Sequence, residues 1–178
     1  TFLFVPSASH QQAQTNKQEA LPFPPQQTNM STRAVASAVF PLPIDVVWAA
    51  LREFDFPRTL ISPVKSVAIL DGKGNDSVGA VREVEWTTGE KQQHRLIELS
   101  DQHYRTAWEL IFAEPPAEHS GKITTISLNR ITETNETLVE WSSDFSADVS
   151  GDVIQFEGKA YLQNLIEVRT NLVQRNQQ

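Results

Sequence analysis

Four polar side chains, Arg82, His94, Lys122 and Asn164, are the ones through which this sequence could run a buried site. A histidine with an ordinary pKa near 6.5 can move a proton at neutral pH, so His94 is the candidate acid or base. Arg82 and Asn164 would donate hydrogen bonds to a carbonyl or carboxylate where water is excluded, and Arg82 would steady a developing oxyanion. Lys122 is a third, weaker catalytic candidate. Tyr104, Trp108, Trp141 and Phe156 supply aromatic surface for a lining. Each has a plainer reading. His94 could be tied to Arg82 or to backbone, Lys122 could be a charge guarding a strand rim, and the two tryptophans could be core. Asn164 could be an amide bonded to backbone or to a buried water.

Other chemistries find little support. The chain has no cysteine, hence no thiolate, disulfide or cysteine-based metal site. His10, His94, His103 and His119 lack the spacing of metal ligands, no glycine-rich phosphate loop is present, and no cofactor is expected. Glu83 and Glu85 fall on the strand face opposite Arg82, and Asp144 and Asp148 read as surface charges. A net charge of −7 argues against nucleic acid or an anionic membrane as partner. No apolar run approaches the roughly 20 residues that span a bilayer. The expectation is a soluble, cytoplasmic protein. Residues 1–29 differ from the rest: Gln11, Gln12, Gln14, Gln18, Gln26 and Gln27 with Pro22, Pro24 and Pro25 make a polar, proline-broken tail. Residues 30–178 are the expected domain, long enough for one sizeable core. Such a tail orders only against a partner, which raises a homodimer or larger assembly through residues 1–29 as one functional reading.

The elements that must position the site follow from periodicity. Asp152–Arg175 reads as a long amphipathic helix, with Val153, Phe156, Ala160, Tyr161, Leu165, Val168 and Leu172 on one face and Lys159, Gln163 and Arg169 on the other. Asp152 is the expected N-cap. Glu157 and Asn164 interrupt the apolar stripe. Upstream, 32–40 reads as a strand, 43–52 as a helix and 57–62 as a second short helix or turn. From Val64 the period becomes two, giving strands at 64–71, 78–87, 91–99, 103–112, 121–132 and 136–147 separated by short turns. Connections this short make an antiparallel meander. In the strand at 103–112, Tyr104, Thr106, Trp108, Leu110 and Phe112 share a face. The fold class is therefore α+β: seven antiparallel strands curving around the C-terminal helix, with a cavity between them.

The segments Val39–Trp48, Val78–Glu83, Arg95–Asp101 and Glu140–Trp141 resemble the helix-grip START/polyketide-cyclase superfamily (SRPBCC), whose fold is that of the birch-pollen allergen, over about residues 32–175. Within it, Val64–Ser66, Val78–Val84 and Phe156–Asn164 are most similar to abscisic-acid receptors. The resemblance implies that Arg82, His94, Phe156, Ala160 and Asn164 face a ligand pocket, with His94 standing where that branch has a glutamate. It also places a lysine catalytic in norcoclaurine synthases near Lys122. The receptor's ligand-binding lysine falls on Ile61, its gate loop is shortened to Thr87–Gly89, and its latch has become Pro115–Ala117, so hormone reception of that type is not expected. Three functions remain: binding of an apolar lipid, polyketide or isoprenoid-like molecule; a cofactor-free cyclase, dehydratase or condensing enzyme using His94 with Arg82; or an interaction subunit.

Overall fold

The computed structural model describes residues 31–177. The tail assigned to residues 1–29, and any assembly through it, lie outside the described residues. Elements follow in chain order as β1 (Arg33–Phe40), α1 (Ile44–Leu51), α2 (Pro57–Leu60), β2 (Val64–Ile69), β3 (Val81–Trp86), β4 (Lys91–Ser100), β5 (Arg105–Glu114), β6 (Lys122–Ile131), β7 (Glu136–Phe145) and α3 (Gly151–Asn176). One antiparallel sheet runs in the order β1-β7-β6-β5-β4-β3-β2, so a single long step joins the first strand to the last and every other neighbour is sequential. This is the α+β helix grip that the alternating pattern predicts. The two short helices occupy the long connection from β1 to β2 at the opposite sheet edges.

The helix α3 buries Tyr161, Leu165, Val168 and Leu172 along one stripe. Its start is fixed by Ser150, whose Oγ accepts a hydrogen bond from the Val153 amide at 3.3 Å; Ser150, not Asp152, is the N-cap. Its C-terminal half is tied to α2. Asn171 and Arg175 donate to the carbonyls of Leu60 and Thr59, and Glu167 accepts from the Ser62 amide, so the polar groups left unpaired at the end of the four-residue helix are satisfied. The first half of α3, by contrast, has Ala160 and Asn164 half-buried and Phe156 exposed. That is where the helix borders a cavity, although at Gly158 it still approaches the backbone of Val35 in β1.

Two irregularities redirect side chains in β4 and β5. Pairing steps from Gln93↔Phe112 to His94↔Leu110, leaving Ile111 extra, and from Leu96↔Trp108 to Glu98↔Ala107, leaving Ile97 extra. A one-residue bulge inverts the facing of everything beyond it. Phe112 is consequently 45% exposed, outside the inward set that strict alternation expects. Tyr104 leaves the strand altogether. It closes the β4–β5 turn at φ 48°, where its hydroxyl donates to Asp45 at 3.0 Å and its ring meets Trp48 edge-on.

Candidate functional site

The arginine at position 82 points inward because β3 alternates: Arg82 and Val84 are buried, whereas Glu83 and Glu85 lie on the outer face, where Gln93 and Lys65 bond them. Arg82 sits directly opposite His94 in the β3–β4 ladder, so their side chains emerge side by side. Its Nε donates to His94 Nδ1 at 3.3 Å, and its Nη1 donates to the carbonyl of Phe54. The guanidinium carbon lies 4.3 Å from the Phe54 ring centre and 4.6 Å from that of Trp108. Burial brings its pKa down to about 9, against a smaller opposing pull from Asp55.

The imidazole is fully engaged. Since Nδ1 accepts from Arg82, the proton resides on Nε2, which faces the Gln92 Oε1 at 3.2 Å. Burial first, then the positive charges of Arg82 and Lys122, holds the His94 pKa well below its ordinary value, so the ring is neutral at pH 7. Both nitrogens are therefore committed to hydrogen bonds within the wall.

A second polar group lies across the cavity, between β6, β7 and α3. Lys122 Nζ pairs with the Glu157 carboxylate, the two side chains being 9% and 18% exposed. Glu157, a polar interruption in the helical stripe, is thus the partner of Lys122. Beside them the Tyr161 hydroxyl lies 2.6 Å from Ser143 Oγ, which lies 2.7 Å from Thr124 Oγ1. Burial and the Glu157 charge push the Tyr161 pKa well above its ordinary value, so the phenol keeps its proton. Aromatic contacts join the two groups: His94 to Trp108, Trp108 to Trp141, and Trp141 stacked on Tyr161 with ring centres 5.3 Å apart.

Between these walls lies a cavity of about 390 Å³. That is within the range of small-molecule sites. Arg82, His94, Trp108, Lys122, Trp141, Phe156, Ala160 and Asn164 all line it. Its mouth is formed by exposed Pro63, Thr88, Glu90, Phe156 and Gln163, between the β3–β4 turn and the first half of α3. Two expectations need correction. Tyr104 does not reach the cavity, because the turn it closes lies against α1. Gln163, expected on the outer helix face, borders the mouth, because the helix offers a wider arc here than its buried stripe. Phe156 lines the cavity from the mouth, at 71% exposure. Gln92, Thr124, Glu157 and Tyr161 join the site with no local signal of that role, except that Glu157 is a charge among apolar neighbours. Among the described residues, no cluster of three His, Cys, Asp or Glu side chains is placed to hold a metal ion, and no helix is long and apolar enough to cross a membrane.

The family described as "Polyketide cyclase / dehydrase and lipid transport" matches residues 31–170. No curated protein is matched by the sequence. Among solved structures, a protein of Nitrosospira multiformis superposes with a TM-score of 0.69 at 22% identity, covering 82% of this chain and 99% of that one. The protein XoxI of Bacillus cereus gives 0.64 at 21% identity, with 82% and 95% covered. The structure titled Ara h 8.0201 gives 0.66 at 14% identity, with 80% and 97% covered. At these identities the likeness is one of fold.

Proposed function

The chain belongs to the polyketide cyclase / dehydrase and lipid transport family, and from that premise we propose that it binds one apolar small molecule in the cavity between sheet and helix. A lipid, polyketide or isoprenoid-like compound has the required character. The observation that carries the reading is the composition of the chamber. Trp86, Trp108, Trp141, Phe156 and Ala160 give it an apolar lining, into which Arg82 with His94, Lys122 with Glu157, and Asn164 bring the inner polar groups. A small number of placed polar groups in an apolar cleft is the usual make-up of a ligand site. Family membership and the helix-grip fold both fit hydrophobic ligand binding in general.

The alternative, acid/base catalysis by His94 with Arg82, fits the geometry less well. A general base must reach the proton it removes, and both His94 nitrogens already have partners in the wall. The binding reading is tested by titrating the full chain with the neutral fluorophore N-phenyl-1-naphthylamine. The expected result is saturable one-to-one binding that Ala160→Phe abolishes while the far-ultraviolet circular dichroism is kept. A chain that gives no saturable signal and carries no co-purified molecule in native mass spectrometry overturns it.

A further inference from the structure

The charges of the cavity are unevenly matched. Lys122 is neutralised by Glu157, whereas no carboxylate among the described residues lies within ion-pair distance of Arg82. The acid that acts on Arg82 from farther away, Asp55, is itself bound by Arg58 at 2.8 Å. Glu90 is the other carboxylate on the lining, and it stands exposed at the mouth. A guanidinium has five N–H donors. Here one meets His94, another meets the Phe54 carbonyl, and the rest have no acceptor among the described residues. Arg82 nevertheless lines the cavity at 2% exposure.

An independent observation points the same way. Trp141, 5% exposed and also on the lining, has an indole N–H with no acceptor among the described residues. Buried donors are almost always satisfied in native proteins, so an unpaired one on a lining residue adds to the donors left over around this chamber. Asn164, half-buried on the helix and also on the lining, makes no side-chain hydrogen bond among the described residues. The spare polar capacity of this chamber is thus dominated by donors around one unneutralised cation.

We propose that the ligand is an anion, an apolar body ending in a carboxylate whose two oxygens take the open N–H groups of Arg82. This rests on the binding reading above and deepens it. A planar carboxylate matches the guanidinium fork, and its single negative charge balances the single unmatched positive one. A phosphate dianion would bring a second charge with no buried partner to meet it. The wall Phe54–Arg82–Trp108 holds the cation in place by its ring faces, so the guanidinium is oriented before the ligand arrives.

The test compares decanoate with methyl decanoate, and 2-naphthoate with methyl 2-naphthoate, by calorimetric titration of the full chain at neutral pH. Each acid should bind about tenfold or more tightly than its ester, as a charge-assisted pair inside a protein requires. Arg82→Met should remove that preference while leaving ester binding in place. Because this variant could lose its fold, a second readout uses the wild-type chain: the carboxyl of bound ¹³C-labelled decanoate should titrate below its free pKa. If acid and ester bind alike, or the bound carboxyl titrates higher than in water, the anion proposal is overturned and the pocket reading survives. If no acid, ester or N-phenyl-1-naphthylamine binds, both fall together.

Discussion

Lys122 and Arg82 are both cations buried in the lining of one cavity, yet among the described residues only Lys122 has a carboxylate within ion-pair distance. Around Lys122 the chain supplies everything: Glu157 for its charge, and the Phe145 and Tyr161 rings at 5.6 and 5.8 Å. Around Arg82 it supplies three aromatic rings, a carbonyl and a neutral histidine, but among the described residues no carboxylate within ion-pair distance, only the farther charge of Asp55. Taking a charge out of water is expensive unless it is paired. A wall that is paired internally is scaffold in that respect. A wall left unpaired keeps its electrostatic demand for whatever enters.

The contrast predicts different responses to removing a single group. Glu157→Gln strands the Lys122 ammonium, and the unfolding free energy should fall by about 3 kcal/mol, at the low end for a broken buried pair because Glu157 retains some solvent. The urea midpoint should drop with m unchanged. Replacing both partners, Lys122→Met with Glu157→Leu, should recover most of the loss. If the double variant is no better than the single one, the pair is not a self-contained unit and the comparison breaks.

Arg82→Met should be milder, about 1–2 kcal/mol, because it leaves behind two unsatisfied neutral acceptors, the Phe54 carbonyl and His94 Nδ1, and not a stranded charge. Methionine also keeps favourable sulfur contacts with the surrounding rings. A loss equal to that of Glu157→Gln would mean that Arg82 is the larger structural element of the two.

These contrasts were only partly legible in the chain. The fold was: period-two strands, short turns and one long amphipathic helix leave little choice but a curved meander gripping that helix. So was the inward set on β3 and α3, because Ala160 and Asn164 follow from a helical wheel and Arg82 from the family resemblance. What alternation could not carry were the bulges at Ile97 and Ile111, which turn Phe112 outward, and the turn that takes Tyr104 out of β5. Nor could it join Lys122 to Glu157, or bring Phe54 from the α1–α2 connection onto Arg82. Those are meetings between distant segments, fixed by how far the sheet curls and not by any local pattern.

His94 gives the comparison a pH dependence. Its folded pKa is depressed well below its value in the unfolded chain, so the unfolded state takes up the proton first as pH falls. The stability it contributes is therefore complete above about pH 6.5 and declines below it, by about 1 kcal/mol on reaching pH 5.5. His119, whose pKa is also lowered by burial and by Lys122, adds in the same window, and a His119→Gln background separates the two. The lowered carboxylates Asp101 and Asp148 act only in more acid solution. A flat denaturation midpoint between pH 7 and about 5.5 in the His119→Gln background would show that His94 is protonated in the fold after all.

The smallest expected effect on stability concerns Asn164, which belongs to neither wall. It lines the cavity half-buried and makes no side-chain bond among the described residues, so Asn164→Leu strands no partner. The fold should be unchanged or slightly more stable, since an apolar helix face is easier to bury than an amide. Decanoate affinity should drop by about 1 kcal/mol, roughly fivefold, which is the usual worth of one hydrogen bond. Methyl decanoate should lose about as much if the amide reads the carbonyl oxygen that both compounds share, and much less if it reads the charge. The ratio of the two losses separates a residue that recognises shape and carbonyl position from one that joins Arg82 in recognising the anion. A marked fall in the urea midpoint with m unchanged would instead make Asn164 part of the scaffold, and the ligand would then have to sit deeper, between Arg82 and Trp141.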